Sequence, residues 1–129
     1  MAIAQRLVRK VCQKCTKFEK ISKEDLKKIK KGLNSLKGLK IPKITLGMKT
    51  PKVVGCQDCN FTGYRGRIGI FEVFLVDDEM EKFILTSPSI AALREKIIKK
   101  GMVTIYQDGL IKVLEGITTI EEVERVVGE

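Results

Sequence analysis

Apolar residues recur at intervals of three or four through most of the chain, and the polar residues between them supply helix boundaries. In "SKEDLKKIKKGLNSLKG", Leu26, Ile29, Leu33 and Leu36 share a helical face. Ser22 suits the N-cap, Asp25 the third helical position and Gly38 the stop, while the opposite face is nearly all lysine. Four further helices are expected from Asp77 onward, the first a short one over "DDEMEKFIL", whose acids suit a helix N-terminus. "SPSIAALREKIIKKG" offers Ser87 as N-cap, Pro88 in the first turn and Gly101 as stop. "TIYQDGLIKVLEG" ends at Gly116. "TTIEEVERVVG" opens with a capping box, Thr118 with Glu121 or Thr119 with Glu122, carries Ile120, Val123 and Val127 as its stripe, and stops at Gly128. Residues 3–11 also read as a short amphipathic helix, with Ile3, Leu7 and Val8 on one side.

Strand signals are fewer. "RIGIFEVFLV" is the clearest, while "LKIPKITLGMKTPKVVG", with two prolines, reads as a loop with an edge strand. The expected fold is mainly α with a small β component: a zinc-ribbon-like tetracysteine module followed by a compact bundle of about four helices. The seam falls at Val76–Asp77, giving a cysteine-bearing part over 1–76 and a helical part over 77–129.

Composition changes this picture in three ways. With 43% hydrophobic residues in 129, one real core is within reach. Charge is uneven: through Lys52 the chain has 16 Lys and Arg against 3 acids, or +13, and afterwards 9 against 13, or −4. A basic first half suits an anionic partner, whether lipid, nucleic acid or acidic protein. Histidine is absent, which removes His-based metal sites, Ser-His and Cys-His dyads and the usual near-neutral general base. No apolar run is long enough to span a bilayer, and "MAIAQRLVRK" lacks a signal peptide's apolar centre. The chain reads as cytosolic, where thiols stay reduced. Its abrupt start, one turn before a cysteine pair, reads as a fragment given an initiating Met.

All four cysteines fall in two Cys-x-x-Cys pairs, Cys12/Cys15 and Cys56/Cys59. Each pair is a knuckle that presents two thiolates from one tight turn, and two knuckles complete a tetrahedral site with no open position. A metal held this way is structural. It would pin the 40-residue excursion between the pairs across its base and contribute on the order of 10 kcal/mol to folding. Arg9, Lys10, Lys14 and Lys17 would offset the charge of a zinc tetrathiolate. Asn60 tolerates the left-handed backbone that follows a knuckle, and Thr16 does so less well. A redox disulfide, iron or unmetallated thiols are the alternatives; a thioredoxin-type site uses one pair and leaves the second without purpose.

Other motifs fail. "GMKTP" has a Lys-Thr but lacks the glycines of a phosphate-binding loop, and Pro51 opposes a following helix. No nucleophile or paired-carboxylate constellation stands out. In "GYRGR", Arg65 and Arg67 are either anion ligands or exposed residues at a strand start.

Taken in order, "AIAQRLVRKVCQKC", "GCQDCNFTGYRGRIGIFEVFLVDDEM" and "LREKIIKKGMVTIYQDGLIKVLEGITTIEEVERVV" resemble the C-terminal end of the ATPases that power type II secretion and type IV pilus assembly, the GspE/PilB family. The most specific elements are Gln5-Arg6-Leu7, Gly63-Tyr64-Arg65-Gly66-Arg67, and Asp108-Gly109 through Leu114-Glu115-Gly116-Ile117-Thr118-Thr119. The resemblance implies one structural zinc on Cys12, Cys15, Cys56 and Cys59, in a subdomain that protrudes from a RecA-like core, with a helical subdomain after it. It implies that ATP and Mg²⁺ bind upstream, so that this chain is non-catalytic. It further implies a cytoplasmic location at the inner face of the membrane, with neighbouring subunits of a hexamer and the inner-membrane platform protein as partners. The excursion is more lysine-rich than the family pattern. Lys20, Lys23, Lys27, Lys28, Lys30 and Lys31 would suit anionic lipid or an acidic loop of the platform. A basic zinc-ribbon protein that binds nucleic acid is the competing reading, disfavoured by the scarcity of interleaved aromatics; a thiol-disulfide enzyme is the third. The fragment alone is expected to be a monomer.

Overall fold

The computed structural model describes residues 1–34, 44–45 and 47–128. Five helices and two small antiparallel sheets make up the described chain. Strand β1 (Ala2–Val11) pairs with β4 (Tyr64–Phe74), from Ala2 opposite Phe74 to Val11 opposite Tyr64. Strands β2 (Lys17–Lys20) and β3 (Lys49–Lys52) form a short ribbon, in which Pro51 occupies an edge strand as its missing N–H requires.

The helix expected over residues 3–11 is therefore a strand. Ile3, Leu7 and Val8 mimic helical spacing, but a strand sends Leu7 and Val8 to opposite faces. Val8 is fully buried, whereas Ile3 and Leu7 remain 59% and 49% exposed. One covered face, interrupted by Ala4 and Arg6, hides the alternation that announces a strand. Pairing with β4, more than fifty residues away, decides the outcome.

Helix α1 (Lys23–Gly32) begins as expected, with the Ser22 hydroxyl accepting from the Asp25 N–H at 3.1 Å. It ends at Gly32, with Leu33 as its C-cap; Leu36 and Gly38 lie outside the described residues. The remaining helices are α2 (Asp78–Leu85), α3 (Ile90–Lys99), α4 (Ile105–Leu114) and α5 (Ile120–Val127). Ser89, not Ser87, caps α3 by accepting from the Ala92 N–H. Ser87 precedes Pro88, which bars it from the right-handed helical region, and it adopts φ +54° instead. The reciprocal capping box occurs at α4, where Thr104 and Gln107 exchange bonds of 2.9 and 3.2 Å.

The helices sort into two groups rather than one bundle. Ile21, Leu26, Ile29 and Leu33 from the first third of the chain bury themselves with Leu110, Val113, Ile120 and Val123 from α4 and α5. A separate small cluster joins Met80, Ile97 and Met102 to Phe74, Leu93 and Ile98. The main core thus crosses the seam expected at Val76–Asp77. Two glycines set its tightness. A Cβ on Gly32 would fall 2.4 Å from Leu110, and one on Gly109 would fall 2.6 Å from Val123. Gln107 Nε2 donates to the Gly32 carbonyl at 2.9 Å and locks α4 to the end of α1. Asp108 accepts from the Phe71 N–H at 2.9 Å and so covers an open edge of β4. Among the described residues, no helix is long and apolar enough to cross a membrane.

Candidate metal centre

The two cysteine pairs, 40 residues apart in sequence, meet at the end of the β1–β4 sheet. Cys12 and Cys15 lie in the turn that follows β1, and Cys56 and Cys59 bracket a single 3₁₀ turn over Gln57–Cys59. All four Sγ atoms lie within 4.8 Å of one another. Cys12 to Cys56 and Cys15 to Cys59 are each 3.8 Å, and Cys56 to Cys59 is 3.7 Å. A sulfur tetrahedron around an ion with bonds of about 2.3 Å has edges of about 3.8 Å. These separations are nearly twice the ~2.05 Å of a disulfide, and all four cysteines are free. The donor set fits a four-coordinate metal ion.

Local backbone chemistry prepares one sulfur of each knuckle to be an anion. Cys59 Sγ accepts from the N–H groups of Cys56 and Gly63, each at 3.2 Å. Burial pushes its thiol up, but these donors outweigh it and bring the pKa down to about 6. Backbone donation from Lys14 is the main cause that lowers Cys12. Cys15 is driven the other way, to about 11, chiefly by burial. One sulfur in each knuckle is thus readied to ionise first, and a bound cation would favour the thiolate at all four.

The loop geometry explains residues the sequence marked. Asn60 adopts the left-handed conformation at φ 53°, as expected, and Phe61 follows at φ 61°. Thr16 does not adopt positive φ, so the first knuckle closes without it. Gly63 sits at φ +82°, and a Cβ there would lie 2.6 Å from Val53 Cβ; only glycine both fits and aims its N–H at Cys59. In "GYRGR", β4 runs one residue long against β1 between Arg9 and Val11, and Gly66 takes φ +83° at this bulge. Arg65 pairs with Asp58 inside the second knuckle at 3.6 Å, and Lys14 of the first knuckle pairs with the same carboxylate. Arg67 is exposed on β4.

Arg9 does not face the sulfurs as expected. Its backbone N–H, Nε and NH2 donate to the Glu122 carboxylate at 2.7, 3.0 and 3.0 Å. Arg125 adds two bonds of 2.7 and 3.0 Å to the same group, and the Arg9 guanidinium lies 4.3 Å from the centre of the Tyr64 ring. Glu122 has a fully buried side chain. Burial pushes its carboxyl up, but Arg125 and Arg9 outweigh that and hold it at about 2. The sequence reading made Glu122 a capping-box partner. Thr119 is the N-cap and accepts from the Glu122 N–H, yet the carboxylate turns away to the arginines. Nothing local in the sequence names Arg9, 113 residues distant, as its partner.

Fold and site together define a small mixed domain closed over a four-cysteine cluster able to hold a metal ion. The chain belongs to the family described as "Type II/IV secretion system protein", which it matches over residues 1–125. It is 40% identical over 121 residues to the type IV pilus assembly ATPase PilB of Thermus thermophilus, covering 94% of this chain and 13% of that protein. It is 51% identical over 76 residues to the type II secretion system protein E of Pectobacterium carotovorum (59% of this chain, 15% of the relative). Against the type II secretion system ATPase E of Vibrio cholerae the identity is 46% over 78 residues (60% and 15%). The chain thus spans less than a sixth of the length of these relatives.

Proposed function

We propose that the chain is the non-catalytic C-terminal module of a secretion or pilus-assembly ATPase, held together by one structural zinc on Cys12, Cys15, Cys56 and Cys59. The observation that carries this reading is the closed four-sulfur cluster with tetrahedral edges. Four protein ligands leave no coordination position for substrate, so the metal serves folding. A tetrahedral four-sulfur site suits zinc or iron, and zinc is the proposed ion because a closed site that serves folding needs no redox chemistry. ATP and Mg²⁺ would bind in the part of the parent that this chain does not span. The module would pass movements of the ATPase core to neighbouring subunits and to the inner-membrane platform, at the cytoplasmic face of the membrane. The division at Val76–Asp77 is proposed as a boundary along the chain, with α4 and α5 docked back onto α1. The isolated chain is proposed to be a monomer.

Six exposed lysines, Lys20, Lys23, Lys27, Lys28, Lys30 and Lys31, support contact with an anionic surface. Lys28 alone among them has an ion pair within the described residues, to Glu124 at 3.0 Å. Each lysine near an anionic leaflet contributes about 1 kcal/mol. Sedimentation with vesicles containing phosphatidylglycerol, against neutral vesicles and against duplex DNA, tests the choice of partner. Binding without dependence on anionic lipid would remove the membrane contact. The zinc reading is tested by native and denatured mass with elemental analysis. One zinc per chain is expected, and a mass four hydrogens light without metal would mean two disulfides instead.

A further inference from the structure

Three hydrogen bonds from a distant segment hold the outer edge of β1 just before Cys12. Glu122 accepts from the Arg9 N–H at 2.7 Å, the Thr118 hydroxyl donates to the Arg9 carbonyl at 2.8 Å, and the Val11 N–H donates to the Ile117 carbonyl at 2.9 Å. These bonds fall where the β1–β4 ladder is broken by its bulge, so β4 alone does not fix the strand there. The same segment also grips the flank of the second knuckle. Thr119 Oγ1 and the Tyr64 hydroxyl are 2.8 Å apart, and Tyr64 follows Gly63, whose N–H donates to Cys59 Sγ. Between the two flanks, the Cys12 N–H donates to the Gly63 carbonyl at 2.9 Å. The Arg9 guanidinium stacked on the Tyr64 ring closes the circuit.

We propose that Glu122, with Thr118 and Thr119, positions the metal centre: from the start of α5 it sets the approach of the two cysteine knuckles and thereby the affinity of the site. The inference rests on the metal reading above. Residues that orient ligands without touching the metal alter affinity ten- to a hundredfold when changed, because the knuckles must otherwise be brought together at the moment of binding. Glu122→Gln keeps the volume of the side chain but loses the charge and one of its acceptor oxygens, and its amide N–H groups face donors. Coupling of this kind is reciprocal, so metal should in turn order residues 117–122.

The test is chelator competition for Zn²⁺ on the full chain, with Co²⁺ spectra as a reporter of sulfur geometry. Glu122→Gln should weaken Zn²⁺ binding about tenfold and alter the Co²⁺ absorption envelope. Ile97→Ala, a core truncation in the separate α2–α3 cluster, serves as a stability control and should leave affinity within about twofold on the additivity expected of independent sites. Tyr64→Phe deletes one hydroxyl of the network and carries the test if Glu122→Gln does not fold; a several-fold loss is expected. Unchanged affinity in these variants, or an equal change in Ile97→Ala, overturns the positioning role while leaving the metal site standing. A wild-type chain that binds neither Zn²⁺ nor Co²⁺ through thiolates overturns both.

Discussion

The Glu122 carboxylate accepts five hydrogen bonds, three from Arg9 and two from Arg125. Its carboxyl, held at about 2 against an ordinary value of 4.5, favours the folded state wherever it is ionised. Because the folded value is the lower one, that contribution is complete above about pH 5 and fades as the pH falls through 4.5 toward 2. A shift of this size corresponds to on the order of 3 kcal/mol. Wild type should therefore exceed Glu122→Gln in thermal stability at pH 7, and the gap should close as unfolding midpoints are followed down to pH 3. A constant gap across that range would mean that the carboxylate is not the source of the difference. The residue was visible in the sequence only as a position near a helix start. Its charge partner was not, because sequence spacing carries no information about a contact across 113 residues.

Among the elements, α4 and α5 meet closely at Gly109. Gly109 has an ordinary helical backbone, and alanine there would gain about 1 kcal/mol of intrinsic helix propensity. Its Cβ, however, would lie 2.6 Å from Val123 Cγ1, and Val123 is completely buried, so neither side chain has room to move. Overpacking of this kind costs about 1–3 kcal/mol, and Gly109→Ala should destabilise on balance. Adding Val123→Ala should recover part of the loss, which a double-mutant cycle in denaturant would measure as a favourable coupling. Strict additivity would mean that the helices separate freely at this point. Element type followed local rules where those rules acted alone: the caps at Ser22, Asp77 and Thr119 each accept from the N–H three residues on. It departed from them at residues 2–11, where pairing with β4 overrode a helical pattern, and at β2, whose four exposed residues give no alternating apolar signal.

On the scale of the whole molecule, two clusters of buried residues have different relations to the metal centre. The larger one unites α1, inserted between the knuckles in sequence, with α4 and α5. The smaller one, of α2 and α3, sits at the far end of β4 from the cysteines. Leu110→Ala should cost about 2–5 kcal/mol as a fully buried truncation and lower the main unfolding transition. Ile97→Ala, of similar chemistry, should loosen α2 and α3 with little effect on Zn²⁺ affinity. Hydrogen exchange on both variants separates these outcomes; equal loosening throughout the chain would show one indivisible cooperative unit.

The sequence by itself determined the four cysteines and their pairing into knuckles, the apolar stripes of α1, α4 and α5, most of the helix ends, and the family. Those are local or compositional facts, set by side-chain chemistry and short spacing. Only the tertiary structure decided that residues 2–11 form a strand, that α4 and α5 close over α1 rather than join α2 and α3 in a bundle, and that Glu122 meets Arg9 beside the first knuckle. Each of these depends on bringing together segments tens of residues apart, where burial and charge pairing outweigh the local preferences that sequence spacing records.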